Sequence, residues 1–324
     1  MHPLLDPAIL FFIFGVVAAT LKSNLEIPQA ISRFLSLYLL MALGLKGGFA
    51  LSKSGFTPEV AASLGSAVAL AIVIPLLGYF VLRKVLVGFD AAAVAATYGS
   101  VSAVTFVTAV QYLDTHNIGY GGYMAAAMAL MESPAIILAV VFANRLRYQS
   151  NSSLHTNEVK SPIFAKIIHE SFTDGAQLLL LGSMLIGFLS GEDGKAAMQP
   201  FSGDLFKGML SFFLLDMGLM TARSLHQLKG LSLSLIAYAV LAPVFHASMA
   251  LAVAIWINAS LGDATLLMVL AASASYIAVP AVLRTAIPEA KPSLYFGMSL
   301  GITFPLNLLI GIPAYSYVAK LFIQ

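Results

Sequence analysis

Gly99-Ser-Val-Ser-Ala-Val-Thr105 crowds hydroxyls and a glycine into one short stretch of an otherwise apolar run. The same chemistry returns at Ser273-Ala-Ser-Tyr-Ile-Ala-Val-Pro280. Asp90 and Asp263, Ser100 and Ser273, and Ser102 and Ser275 are each separated by 173 positions. A helix that unwinds in lipid exposes N–H and C=O groups, which cost several kcal/mol each unless protein, water or ligand satisfies them. Where a second half-helix begins at such a break, its free N–H groups and positive dipole end favour a small anion. The hydroxyls of Ser100, Ser102, Thr105, Ser273 and Ser275 add donors, and Gly99 lets the backbone come close. Pro280 suits the first position of a new half-helix, where its missing N–H is not needed. The first half-helices end in free carbonyls, which suit a hard cation such as sodium. Serine and threonine are also common at packed membrane-helix interfaces, and for one stretch alone packing is the better account. Two interrupted helices at matched places in two halves instead point to a transporter's binding site.

Isolated ionisable residues in apolar segments call for a reason of their own, because each costs roughly 2.5–3.5 kcal/mol at mid-bilayer on insertion scales. Glu132, just before Pro134, is the leading ligand for sodium or coupling carboxylate, with a structural ion pair or protonated acid as the bland alternative. Asp216 fits a helix-packing or gating role, and His246 a hydrogen-bonded core histidine. Lys46 lies near enough to a segment end to snorkel. Glu170 and Asp174 fit the cytoplasmic entrance of a helix, where acids favour the N-terminus.

The elements that must position these groups are membrane helices. Of 324 residues, 59% are hydrophobic and 10% charged, with a mean hydropathy of +0.90; a soluble domain carries roughly 25% charged residues. The expected fold is an all-α polytopic membrane protein. A net charge of +2 without a basic block argues against nucleic acid, and the absence of cysteine excludes disulfides and thiolate metal sites. The first residues lack a basic n-region, so Pro7 to Leu21 reads as a retained helix rather than a signal peptide. A span needs about 20 largely apolar residues, which gives ten segments near 4–21, 30–51, 58–85, 90–112, 119–143, 171–190, 203–222, 229–259, 263–286 and 292–321. The first is short and is expected at the periphery. Pro75, Pro243 and Pro305 supply kinks in the longest three.

The polar stretch 144–170 reads as a flexible linker between halves 1–143 and 171–324. Further matches join the halves: Gly44 with Gly218, Pro75 with Pro243, and Glu132-Ser-Pro134 with Thr303-Phe-Pro305. Five segments per half is an odd number, so the second half enters the membrane from the opposite side and the repeat is inverted. Segments four and nine are then the crossed, discontinuous helices, with core and gate domains each drawn from both repeats. Twelve of the 17 Lys and Arg fall on the linker side, and Lys46, Lys53, Lys195, Lys207 and Lys320 on the other. Basic residues favour the cytoplasm, which puts the linker inside and both termini outside. There is no His-Glu-x-x-His helix, Gly-x-Ser-x-Gly elbow or phosphate-binding Gly-x-x-x-x-Gly-Lys-Ser/Thr loop, so neither an enzyme nor an ATP-driven pump is expected.

The two broken segments, Glu132-Ser-Pro134, and Leu283-Arg-Thr-Ala-Ile-Pro-Glu-Ala-Lys-Pro-Ser293 together resemble the sodium-dependent bicarbonate transporter family of cyanobacteria and other bacteria. Val101, Ser102 and Thr105 match the family's first break; Ser273, Ser275, Ile277 and Pro280 match its second. Glu132 stands where the family carries an Asp, and Tyr276 where it carries an acid. The resemblance implies a permease of the bacterial inner membrane that imports bicarbonate or a similar small anion with sodium, by an elevator-like movement. It implies substrate contacts from Gly99, Ser100, Ser102, Thr105, Ser273, Ser275, Tyr276 and Pro280. Sodium contacts would come from Glu132, Ser102, Thr105, Ser273 and Thr303. No cofactor is expected beyond the coupling ion. Assembly as a homotrimer and a cytoplasmic PII-like regulatory partner are also implied.

Two rival readings keep the hydrophobic architecture. One is a sodium-coupled organic carboxylate carrier, with Tyr276 giving a less polar pocket; the other is a membrane sensor that binds without flux. An intramembrane protease built on Glu132 and Asp216 has no spacing to support it. If the breaks bind substrate, Ser102→Ala and Ser275→Ala each impair uptake more than Ser234→Ala, which lies away from them. Equal effects on uptake would assign both serines to packing.

Overall fold

The computed structural model describes residues 6–151, 175–225 and 230–323. Among them there is helix and no strand. The helices are α1 (Pro7–Thr20), α2 (Gln29–Ser54), α3 (Pro58–Leu82), α4 (Gly88–Gly99), α5 (Ala103–Thr115) and α6 (Met124–Asn151). After them come α7 (Gly175–Met198), α8 (Phe206–Ser224), α9 (Leu233–Trp256), α10 (Leu261–Ala272), α11 (Ala278–Ala286) and α12 (Pro292–Phe322). Seven helical stretches are long and apolar enough to cross a membrane, and α1 and α10 are shorter apolar helices. This is a multi-pass, all-helical membrane protein.

Several boundaries differ from the sequence reading. Helix α6 runs on through Asn151, into the expected linker, while Glu170 and Asp174 lie outside the described residues. Gly191 kinks α7 with a φ of 56°. Pro75 and Pro243 sit inside unbroken helices α3 and α9. Around Pro305, α12 instead carries two π-turns, Ser299–Thr303 and Asn307–Gly311. Such turns re-aim side chains that a regular helix would point elsewhere.

Helix α1 leaves Leu10, Phe11, Phe14 and Val17 exposed on its outer face, in keeping with the expected peripheral place, and buries Phe12 on the other. Its Gly15 meets Gly218 of α8 so closely that a Cβ on Gly218 would lie 3.1 Å from the Gly15 Cα. Helix α2 is pressed on α7 in the same way, where a Cβ on Gly48 would lie 2.7 Å from the Phe188 nitrogen. Small residues at helix crossings let backbones approach, which is how membrane helices associate without a hydrophobic driving force.

The packing repeats itself. Helix α1 packs on α8 and α2 on α7; α3 packs on α4 and α6 as α9 packs on α10 and α12. Likewise α4 lies on α6 as α10 lies on α12, and α2 touches α6 as α8 touches α12. The two acids that open the broken segments fasten the opposite half. Asp90 accepts from the Lys291 N–H at 2.8 Å, at the start of α12. Asp263 accepts from the Gly121 N–H at 2.6 Å and the Tyr123 hydroxyl at 2.8 Å, at the start of α6. Both carboxylates are buried. At the end of its span, Arg147 forks onto Glu289 at 2.8 and 2.7 Å and onto the Ala286 carbonyl, tying α6 to the end of α11. The guanidinium holds the Glu289 carboxyl below the usual carboxylate range.

Candidate functional site

Segment four breaks at residues 100–102 and segment nine at 273–277. The break after α4 is shaped by α3: a Cβ on Gly99 would lie 2.6 Å from Cγ and Cδ of Pro75. Ser102 then caps α5, its Oγ accepting from the Thr105 N–H at 3.2 Å and the Thr105 hydroxyl at 2.9 Å. With its third N–H capped by this serine, α5 turns its first two residues, Ala103 and Val104, toward a cavity. At the other break, the Ser275 Oγ accepts from the Val279 N–H at 3.2 Å. Ile277 and Ala278, which open α11, line the same cavity. Pro280 is the third residue of α11 rather than the first; its missing N–H still costs nothing within the opening turn.

The two breaks are bonded to each other. The Ser102 N–H donates to the Ser273 Oγ at 2.9 Å, and the Ser275 N–H donates to the Thr97 carbonyl at 2.9 Å. Backbone groups that unwinding frees in one segment are thereby satisfied by the other.

The cavity has a volume of about 70 Å³. Ser36 and Leu40 of α2, Met128 and Glu132 of α6, and Leu180 of α7 close it opposite the breaks. Ser102, Ser275 and Tyr276 bring polar groups to its wall. The site therefore combines two helix N-termini, serine hydroxyls and one carboxylate in a small, mostly apolar chamber. The family model described as the Na+-dependent bicarbonate transporter superfamily matches residues 7–320. The chain belongs to that superfamily. Membership makes it a transporter and not an enzyme. No curated protein matches the sequence.

Within this bicarbonate transporter superfamily member, the residues singled out by sequence fall into three groups. Ser102, Glu132, Ser275 and Tyr276 meet at the cavity. Thr105 and Ser273 stand one bond behind it, through Ser102. Gly99, Ser100 and Pro280 are buried in the breaks without lining the cavity; the Ser100 Oγ leans on the Glu132 backbone carbonyl at 3.5 Å. Thr303 does not join them. Its hydroxyl is bonded to the Tyr98 hydroxyl at 2.6 Å and donates to the Ala239 carbonyl at 2.8 Å. Asp216 is buried on α8, beside Met217, whose sulfur lies 3.7 Å from the Tyr276 hydroxyl. His246 is buried in α9. Lys46 lies at the far end of α5, paired with Asp114 at 3.4 Å and set over the Phe206 ring, beside a separate open cavity of about 440 Å³.

Sequence reasoning missed Ser36, Leu40, Met128 and Leu180, which are ordinary residues of apolar helices and carry no signal. It also missed Asn307, a buried amide in the second π-turn of α12, which a search for polar residues inside long spans would find. The Gly99–Pro75 contact gives a direct check. Gly99→Ala overpacks the break and costs about 1–3 kcal/mol. Combining it with Pro75→Gly recovers part of the loss in a double-mutant cycle read by thermal unfolding in detergent. Strict additivity would show that this contact does not shape the break.

Proposed function

We propose that the protein imports bicarbonate together with sodium across a bacterial inner membrane. The observation that carries this reading is a carboxylate in the same small chamber as two helix N-termini. The N-termini and the hydroxyls of Ser102 and Ser275 favour an anion. Glu132 opposes one: two like charges about 4 Å apart repel by roughly 4 kcal/mol at an effective dielectric of 20. A sodium ion held by Glu132 turns that repulsion into attraction, so anion and cation each bind well only when the other is present. Coupling of this kind is what a symporter requires. Ser102 is the natural bridge, because its Oγ lies between the anion cradle and Thr105. A chamber of about 70 Å³ accommodates a planar anion of a few atoms.

The architecture in this proposal is ten membrane crossings as two inverted five-helix repeats, residues 1–143 and 171–324, with α4–α5 and α10–α11 as the discontinuous helices. The support is the exchange of packing partners between the halves and the mirrored roles of Asp90 and Asp263. Helices α1, α2, α7 and α8, locked by glycine contacts, form the gate or scaffold domain. The breaks with α3, α6, α9 and α12 form the core domain, which moves past it as an elevator. Both termini lie outside and the linker inside, as the Lys and Arg distribution favours. A homotrimer with a PII-like regulator on the cytoplasmic face belongs to the same proposal through the family.

Two measurements test it. In proteoliposomes an inward sodium gradient stimulates labelled bicarbonate uptake, and Glu132→Gln removes the stimulation. Uptake that ignores sodium would sink the coupling, and no uptake, or competition by organic carboxylates, would sink bicarbonate as substrate. For topology, an alkaline phosphatase fusion at the linker is inactive and one at the C-terminus active; the reverse pattern would invert the orientation.

A further inference from the structure

Two cavities lie along one seam between helices. The chamber of about 70 Å³ takes Ser36 and Leu40 from α2, Ala103 from the start of α5, and Met128 and Glu132 from α6. The open cavity of about 440 Å³ takes Leu43, Gly47 and Ala50 from α2, Phe106, Val110 and Asp114 from α5, and Ala125 from α6. An α-helix returns to the same face every three or four residues. Residues 36, 40, 43, 47 and 50 therefore form one stripe of α2, and residues 103, 106, 110 and 114 one stripe of α5. Residues 125, 128 and 132 form a third on α6. Each stripe runs from one cavity into the other.

The gap between the cavities is short. From Leu40 to Leu43, from Ala103 to Phe106 and from Met128 back to Ala125, the step is three residues on each helix. That is about 5 Å along the axis, less than one helical turn. Leu40 and Met128 stand at the chamber edge of this gap, Leu43 and Phe106 at its other edge, and all four are buried and apolar. Beyond them the chemistry changes. Lys46, Asp114 and Tyr120 line the open cavity, where Asp114 accepts from the Lys46 ammonium at 3.4 Å and from the Tyr120 hydroxyl at 3.0 Å. Lys46 and Asp114 both keep part of their side chains exposed. Helix α6 begins at this cavity and ends at Asn151, so the cavity opens on the face away from the expected linker.

We infer that the open cavity is the entrance to the chamber, and that Leu40, Leu43, Phe106 and Met128 form the gate between them. The inference rests on the import reading above for the direction of travel. The gate draws its members from α2 on one side and from α5 and α6 on the other. Sliding one packed helix past another by a turn, about 5 Å, is a known way for helices to switch, and it matches the length of the gap. The same slide carries Lys46 away from Asp114, so that ion pair marks the closed position.

The chain contains no cysteine, so one introduced cysteine is the only thiol to label. The probe is sulfonatoethyl methanethiosulfonate, an anion that does not cross membranes, added to intact cells. Ala196→Cys, exposed on α7 beyond the contacts of Gly191 and Gly194 with the end of α2, is labelled without loss of bicarbonate uptake and reports which face is outside. Ala50→Cys, in the open cavity, is labelled and loses the uptake it had before the reagent. Ser36→Cys, in the chamber, is labelled slowly from the same face, and adding Phe106→Ala speeds this about tenfold by favouring the open state. An Ala50→Cys protein that is labelled and still transports would overturn the entrance. A Ser36→Cys labelling rate indifferent to Phe106→Ala would overturn the gate; Leu43→Ala replaces Phe106→Ala should that protein not fold. Labelling of Ala50→Cys and Ala196→Cys in inside-out vesicles but not in intact cells would make the cavity an exit and overturn the inference. If the unlabelled protein takes up no bicarbonate, the import reading fails, and the response of Ser36→Cys labelling to Phe106→Ala alone decides whether the cavities connect here.

Discussion

A helix that stops inside a membrane must hand its loose backbone groups to something other than water, and the whole arrangement answers that demand. The answer here is mutual. The Ser102 N–H finds the Ser273 Oγ, and the Ser275 N–H finds the Thr97 carbonyl. Each such bond contributes only about 1 kcal/mol net, but leaving the groups bare in hydrocarbon costs several kcal/mol apiece. Neither break is therefore tenable without the other. The halves of the chain are held together at the two breaks.

That constraint reaches outward through the neighbouring helices. Helix α4 is built from alanines buried on every side, which lets α3 and α6 close on it and brings the Pro75 ring onto Gly99. Asp90 and Asp263 then fix the outer ends of the broken segments to the starts of α12 and α6. A broken helix has lost the rigidity of a continuous one, and these carboxylates restore it by pinning the end away from the break. The glycine crossings of α1 with α8 and α2 with α7 pack these four helices closely in pairs. The chamber lies where these helices meet the breaks, lined by α2 and α7 on one side and by residues 101–104 and 275–278 on the other.

Much of this was legible in the sequence because hydrophobicity is a one-dimensional signal and the breaks interrupt it. Ser100 to Ser102 and Ser273 to Ile277 fall within the stretches that composition marked, and the matched prolines and glycines sit on matched helices. What the sequence could not carry was which faces meet. The shortness of α1 says nothing of Gly15 fitting against Gly218. Thr303 looked like a cation ligand because its offset from Glu132 matches, yet a π-turn directs it to Tyr98 and the Ala239 carbonyl. The π-turns themselves leave no local mark, since they arise where tertiary contacts reward an inserted residue. Ser36 and Leu180 reach the chamber only because α2 and α7 cross close to it.

Symmetry of backbone and asymmetry of side chains work against each other here, and the second decides the chemistry. Two halves decorated alike would present the same groups at both breaks. The chain departs from that at two positions on one helix face of each half. Glu132 stands 171 positions before Thr303, and Ile136 the same interval before Asn307. The first exchange puts a full negative charge in one half only. The second closes the other half with a neutral donor that Tyr315 holds in place. The two breaks are therefore chemically unlike although their helices pack alike, with a carboxylate beside one and a buried amide at the other.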